Sequence, residues 1–137
     1  MIINLGTEAD KSYILSKYPY TSQIIYDDGY LVIACEDDEI LGFAWVFTRE
    51  IPLVNKTEDF INVIEVFNEE NRCKGIASLI VQKIIELAKE KGSYQVRAYC
   101  DSNNISSHML WVKNGFSIAP VKTQDNQIIG SYVAYVL

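Results

Sequence analysis

Residues 71–92, "NRCKGIASLIVQKIIELAKEKG", decide how this chain folds. The stretch opens with two cations and a glycine, where a helix ordinarily starts on a Ser, Thr, Asp or Asn cap. From there Ile76, Leu79, Ile80, Ile84, Leu87 and Ala88 recur at the i, i+3, i+4 spacing of one helical face. The pattern predicts a helix from Gly75 to Lys91, with Gly92 as the left-handed residue that ends it. Upstream, "FINVIEVF" (60–67) is a nearly continuous apolar run, as in a central strand covered on both faces. Downstream, "YQVRAYC" (94–100) reads as a further strand. Strand, helix, strand in this order is a parallel pair joined by a right-handed crossover. First-turn amides have no acceptor within their helix, and the macrodipole gives them partial positive charge. Gly75 permits close backbone approach and Ala77 is small, so this helix start is a candidate anion cradle flanked by Arg72 and Lys74. The plain alternative is a glycine turn between solvated cations.

Outward from that unit, "TEADKSYILSKYP" (7–19) begins on a Thr-x-x-Asp cap and stops at a proline, which predicts a short helix. Residues 20–30 continue as a helical turn and a loop. Residues 30–50 hold two β-rich runs divided by Asp37, Asp38 and Glu39, which predicts a hairpin. Alternation of Leu41, Phe43, Trp45 and Phe47 predicts that the second arm buries this one face. Pro52 and "NKTED" (55–59) read as a loop. "SSHMLWVKN" (106–114) is a short helix ended by Gly115, and 116–121 and 127–137 are the last strands, across a polar loop. The fold class is α/β of the mixed kind, with helices on both faces of one sheet.

Composition narrows the function. At 137 residues the chain is expected to be one domain, 1–137, able to bury roughly two thirds of its unfolded surface without disulfide or metal. Net charge is −6 and no basic stripe is present, which argues against a nucleic-acid partner. Cys35, Cys73 and Cys100 form no CxxC pair and His108 is the single histidine, so no metal is expected. Unpaired thiols and a start without signal-peptide character point to the cytoplasm, and no apolar run is long enough to cross a bilayer.

A second motif follows the downstream strand. "NISSHMLWVKNGF" (104–116) carries Asn104, Ser107 three on, Trp111 seven on, then Gly115 and Phe116. With Arg72, Cys73, Lys74, Gly75, Ile76 and Ala77, which match Arg/Gln-x-x-Gly-x-Gly/Ala, the chain resembles the GNAT superfamily of acyl-CoA-dependent N-acyltransferases. In that family the later pattern is Asn-x-x-Ala-x-x-x-Tyr then Gly-Phe, so Ser107 and Trp111 are departures.

The resemblance implies a three-layer fold around a central mixed sheet of about six to seven strands. It implies that acetyl-CoA lies in a V-shaped gap between splayed parallel strands, its pyrophosphate on the amides of Arg72, Cys73, Lys74, Gly75, Ile76 and Ala77. The backbone of Val66, Phe67 and Asn68 would pair with the pantetheine arm as an added strand, and an amide there would face the thioester oxygen. Asn104 would hydrogen-bond the arm from the other side, and Ser107 would leave it room. The spacing from Val66 to Arg72 is one residue longer than in the usual family pattern. Either the loop "FNEEN" (67–71) carries an insertion, or a bulge puts Phe67 in the usual valine position and reverses the faces of Glu65 and Val66.

Two residues bear on the chemistry. Glu65, an anion in an apolar strand, is the candidate base for an acceptor ammonium, with a solvated or lysine-paired carboxylate as the plain reading. Trp111 stands where the family's tyrosine acid would be, and an indole N–H is not a useful acid. Tyr99, Tyr132, Tyr135 or water are substitutes. Tyr18, Tyr20, Tyr26, Asp27 and Asp28 cluster in the region that lines the acceptor pocket in relatives. The expected function is therefore N-acetyl transfer from acetyl-CoA to a primary amine, on a small molecule or on a protein lysine or N-terminus, by a monomer or homodimer. The alternative is an acyl-CoA-binding or regulatory module that transfers weakly or not at all because of Trp111.

Overall fold

In the computed structural model, which describes residues 1–26 and 28–137, the chain begins with a strand its sequence does not announce. This is β1 (Ile2–Leu5), an edge strand antiparallel to β2 (Tyr30–Glu36). Helix α1 (Glu8–Lys17) starts on Thr7 for a local reason: the Thr7 hydroxyl accepts the Asp10 amide at 3.1 Å, and the Asp10 carboxylate accepts the Thr7 amide at 2.8 Å. A 3-10 helix, Pro19–Gln23, follows. The hairpin of β2 and β3 (Glu39–Ile51) turns through Asp37 and Asp38, with φ of 51° and 63°, the positive values a tight two-residue turn needs. Then come β4 (Lys56–Val66), α2 (Ile76–Glu90), β5 (Gln95–Asp101), α3 (Ile105–Lys113), β6 (Ser117–Lys122) and β7 (Ile128–Val136).

The strands form a 7-stranded sheet in the order β1-β2-β3-β4-β5-β7-β6, with β4 central and β4–β5 the parallel pair. Apolar residues alternate between two clusters, one on each face. Val32, Ala34, Ala44, Val46, Ile61, Val96 and Ala98 pack with Ile76, Ile80, Val81, Ile84 and Ala88 of α2 and Trp111 of α3. Leu31, Ile33, Phe43, Trp45 and Phe67 pack on the other face with Ile14 of α1 and Ile25. Full burial of each large aliphatic side chain contributes about 1.5–3 kcal/mol, so α2 is held by its apolar stripe rather than by propensity.

Three local expectations are corrected. Leu41 does not share the face of Phe43 and Trp45. The register passes from Cys35↔Ile40 to Ala34↔Gly42, so Leu41 is bulged and packs on the α2 side. The stretch read as a loop at 55–59 is largely strand: β4 starts at Lys56, and Glu58 and Asp59 are buried in it. Finally, Trp45 pairs with Val63 but Val46 with Ile61, which leaves Asn62 as an extra residue in β4. This bulge reverses the pleat. Asp59 and Ile61 belong to the α2 side, whereas Val63, Glu65 and Phe67 face α1 and the 3-10 helix. Phe67 continues the ladder by donating its amide to the Leu41 carbonyl at 2.8 Å, so the bulge is at Asn62 and not at Phe67. The 3-10 turn Glu69–Asn71 takes up the remaining length before Arg72.

Candidate active site

The parallel seam between β4 and β5 is short. It runs from Glu58↔Gln95 to Ile61↔Ala98, after which β4 continues to Val66 bonded only to β3, and β5 continues to Asp101 bonded only to β7. The strands separate there and leave a gap. The Phe67–Leu41 bond fixes the alternation along β4, so Val66 and Ile64 direct their N–H and C=O groups away from β3, into the gap. In agreement, the Val66 carbonyl accepts the Arg72 guanidinium Nε at 3.4 Å.

Beyond the strand end, Cys73 has φ 63° and Gly75 has φ 80°, so the chain coils tightly before α2 begins. Among the described residues, the amides of Cys73, Lys74, Gly75, Ile76 and Ala77 have no protein acceptor; the first α2-start carbonyl used is that of Gly75, which takes the Leu79 amide at 3.1 Å. A Cβ added to Gly75 would meet nothing within 4 Å, so open space lies beside these donors. Free amides, positive dipole end and open space are what an anion needs. Arg72 is the exception in the expected set: its amide donates to the Glu69 carbonyl at 3.1 Å, leaving only its side chain for a ligand. Phe67 and Asn68 also differ from Val66. The Phe67 amide is committed to β3 and its ring is buried, while Asn68 is exposed with φ 63°.

Across the gap, Asn104 caps α3, its side-chain oxygen accepting the Ser107 amide at 3.0 Å, which leaves its NH2 group as the part open to a ligand. Trp111 lies in the core at 2% exposure, packed against Phe116, and its indole N–H donates to the Ser107 hydroxyl at 3.1 Å. That is its sole donor. Cys100 is buried, Cys73 and His108 are exposed. A depression of about 450 Å³ lined by Asp101, Asn103, Asn104, Ile105 and Ser106 opens beside the α3 start. A comparable one of about 500 Å³ lies at the other end of the seam, against Lys56, Ser93 and Tyr94, away from the free amides. Donor geometry, rather than volume, marks the site.

Glu65 is partly buried on the α1 side and accepts a hydrogen bond from the Tyr20 hydroxyl. Partial burial, and then this bond, push the Tyr20 phenol above its ordinary value. The neighbourhood is aromatic: Tyr18 stands edge-on to Tyr20 and stacks on Phe67 at 3.9 Å between centroids. Sequence reading placed Tyr18, Tyr20, Tyr26 and Asp28 in one region but did not pair Tyr20 with Glu65, which is 45 residues away. Asp27 lies outside the described residues. Also missed was the clamp at the closed end of the seam. Asp59, at 0% exposure, accepts Ser93 at 2.6 Å, the Lys91 ammonium at 2.8 Å and the Tyr30 hydroxyl. Glu58 accepts Arg97 and Arg49 at 3.0 Å and Gln95 at 2.8 Å. Burial raises the Glu58 carboxyl, but the hydrogen bonds from Arg97, Gln95 and Arg49 win and hold it below its ordinary value.

The family model for the acetyltransferase (GNAT) family matches residues 5–116. The chain belongs to that family. Among curated proteins none matches it. Solved structures do: a ribosomal-protein-alanine N-acetyltransferase from Brucella melitensis is 17% identical with TM-score 0.77, covering 100% of both chains. A Bacillus subtilis acetyltransferase in complex with CoA is 20% identical with TM-score 0.72, covering 98% of this chain and 97% of its own. A GNAT family acetyltransferase from Elizabethkingia anophelis with acetyl-CoA bound is 18% identical with TM-score 0.72, covering 99% and 97%. At these identities the likeness is one of fold. Among the described residues of this GNAT chain, no group of His, Cys, Asp and Glu is arranged to hold a metal, and no helix is long and apolar enough to cross a membrane.

Proposed function

We propose that this GNAT protein transfers an acetyl group from acetyl-CoA to a primary amine by direct attack in a ternary complex. The observation that carries the reading is the row of unpaired amides at residues 73–77, open to space and set beyond a parallel seam that splays. Acetyl-CoA supplies the activated thioester. The amides of Cys73, Lys74, Gly75, Ile76 and Ala77 hold its diphosphate, and Arg72 and Lys74 add charge through their side chains. The main chain of Val66 pairs with the pantetheine arm and its N–H faces the thioester oxygen, where negative charge develops. Phe67 and Asn68 shape the end of that edge. The Asn104 NH2 group reaches the arm from α3, and Ser107 leaves room for it.

An acceptor ammonium has no lone pair, so it must lose a proton before attack, and Glu65 takes it. The amine nitrogen then bonds to the acyl carbon while the carbon–sulfur bond breaks, and the sulfur leaves with the electron pair. The second nitrogen proton passes to solvent. A thiol ionises near about pH 8.5, so the thiolate departs without a dedicated acid. Trp111 commits its N–H to Ser107 within α3 and holds that helix against the sheet through its buried ring, packed on Phe116. Calorimetric titration with acetyl-CoA, wild type beside Gly75→Asp, tests the site: binding heat from wild type and little from the variant is expected, and equal heats would refute it.

The same Trp111 bond favours a second reading, an acyl-CoA-binding module without efficient transfer. CoA release against a panel of amines, polyamines and lysine peptides separates the two. Turnover well above hydrolysis with any of them eliminates the module.

A further inference from the structure

Resting on the reading of Glu65 as base, we propose that Tyr20 is its positioning residue: the phenol anchors one carboxylate oxygen so that the other is presented to the acceptor amine. Tyr20 donates to Oε1 of Glu65, while Oε2 has no protein partner among the described residues. A carboxylate held by one oxygen keeps the lone pairs of the other for a proton. The side chain would otherwise swing about its own torsions, because only its Oε1 is tethered.

The phenol is itself fixed, which distinguishes it from a passing surface contact. Asn62, the bulged residue of β4, donates its side-chain NH2 to the Ile24 carbonyl at 2.8 Å, and Trp45 donates its indole N–H to the Tyr26 carbonyl at 2.8 Å. Thr21, fully buried, bonds back to the Tyr18 carbonyl through its hydroxyl at 2.6 Å. The segment carrying Tyr20 is thus tied to β3 and β4 by three separate side chains, Tyr20 itself included. The ring leans on Tyr18, which stacks on Phe67, the residue just beyond β4 on the same face as Glu65. Other ionisable groups facing Tyr20 are Tyr18 and Arg72, and Lys17 lies over the Tyr18 ring at 5.6 Å. No other phenol donates to Glu65 among the described residues.

The test uses the full chain as wild type, Tyr20→Phe and Glu65→Gln. Removing a single hydroxyl from a half-exposed ring leaves the thermal midpoint and the acetyl-CoA dissociation constant near wild type. The expected result for Tyr20→Phe is a fall in kcat of about tenfold to a hundredfold, as for a misaligned reacting group, without a matching rise in the KM for acetyl-CoA. In parallel, proteins with 13Cζ-labelled tyrosine are titrated by NMR. The Tyr20 signal, identified by its loss in Tyr20→Phe, is expected to ionise at lower pH in Glu65→Gln than in wild type. Tyr20 titrating alike in those two proteins overturns the inference, and this arm needs no turnover. Tyr20→Phe with wild-type kcat, while Glu65→Gln is impaired, overturns it equally and leaves the base reading standing. Glu65→Gln with wild-type kcat removes the base reading itself.

Discussion

At one end of the β4–β5 seam two carboxylates are buried and fully partnered; past the other end, one carboxylate is partly buried and held by a single phenol. Glu58 and Asp59 sit where the strands still pair, and between them they gather groups from β2, β3, β5, and the C-terminal side of α2. Glu65 sits where β5 has left. The difference teaches how a sheet can be opened locally without coming apart. Charge at the clamped end binds the strands, so the splayed end can leave main-chain groups of β4 without a strand partner.

Substitutions sharpen or break that contrast. The largest effect is expected from Asp59→Ala, which strands the hydroxyls of Tyr30 and Ser93 and the ammonium of Lys91 around a void. A loss of about 3–5 kcal/mol in urea unfolding is expected. A loss under about 1 kcal/mol would mean the clamp does not hold the seam. At the splayed end, Glu65→Gln is expected to lower kcat about 10²-fold with little change in the urea midpoint. If it destabilises as Asp59→Ala does, the two ends are not functionally divided.

Gly75→Asp is expected to weaken acetyl-CoA at least tenfold, about 1.4 kcal/mol, through repulsion of phosphate in the cradle. Gly75→Ala, with the same φ of 80° to strain it and no charge, is expected to lose less affinity than Gly75→Asp. Equal losses would assign the effect to backbone strain. The smallest effect concerns pH. Because Glu58 is depressed in the folded state below its ordinary 4.5, its stabilisation is complete above that pH and is lost as pH falls through the lower folded value. Acid unfolding followed by circular dichroism is expected to steepen below about pH 4.5 in wild type and to flatten there in Glu58→Gln.

Legibility from sequence followed the range of the interactions. Helix α2 was readable because its signals are local: an apolar stripe, in which Leu79 proves exposed and Val81 buried, a glycine before it and a glycine after it, at φ 80° and 81°. The unpaired amides before α2 were readable for the same reason, except that Arg72 loses its amide to the Glu69–Asn71 turn. Strand β1 was not, since an exposed four-residue edge strand carries no alternation. "NKTED" looked like a loop because five polar residues in a row ordinarily mean solvent, and the groups that satisfy Glu58 and Asp59 come from distant positions. The Tyr20–Glu65 bond spans 45 residues and has no sequence pattern.

Asn62 sets which way the end of β4 faces. With one residue fewer in β4, Glu65 would project to the same side as Asp59, into the layer beneath α2 and away from Tyr20. A strand grafted into another scaffold would therefore need its insertion point as much as its acid. Length, counted modulo two, chooses which side of the sheet the carboxylate faces.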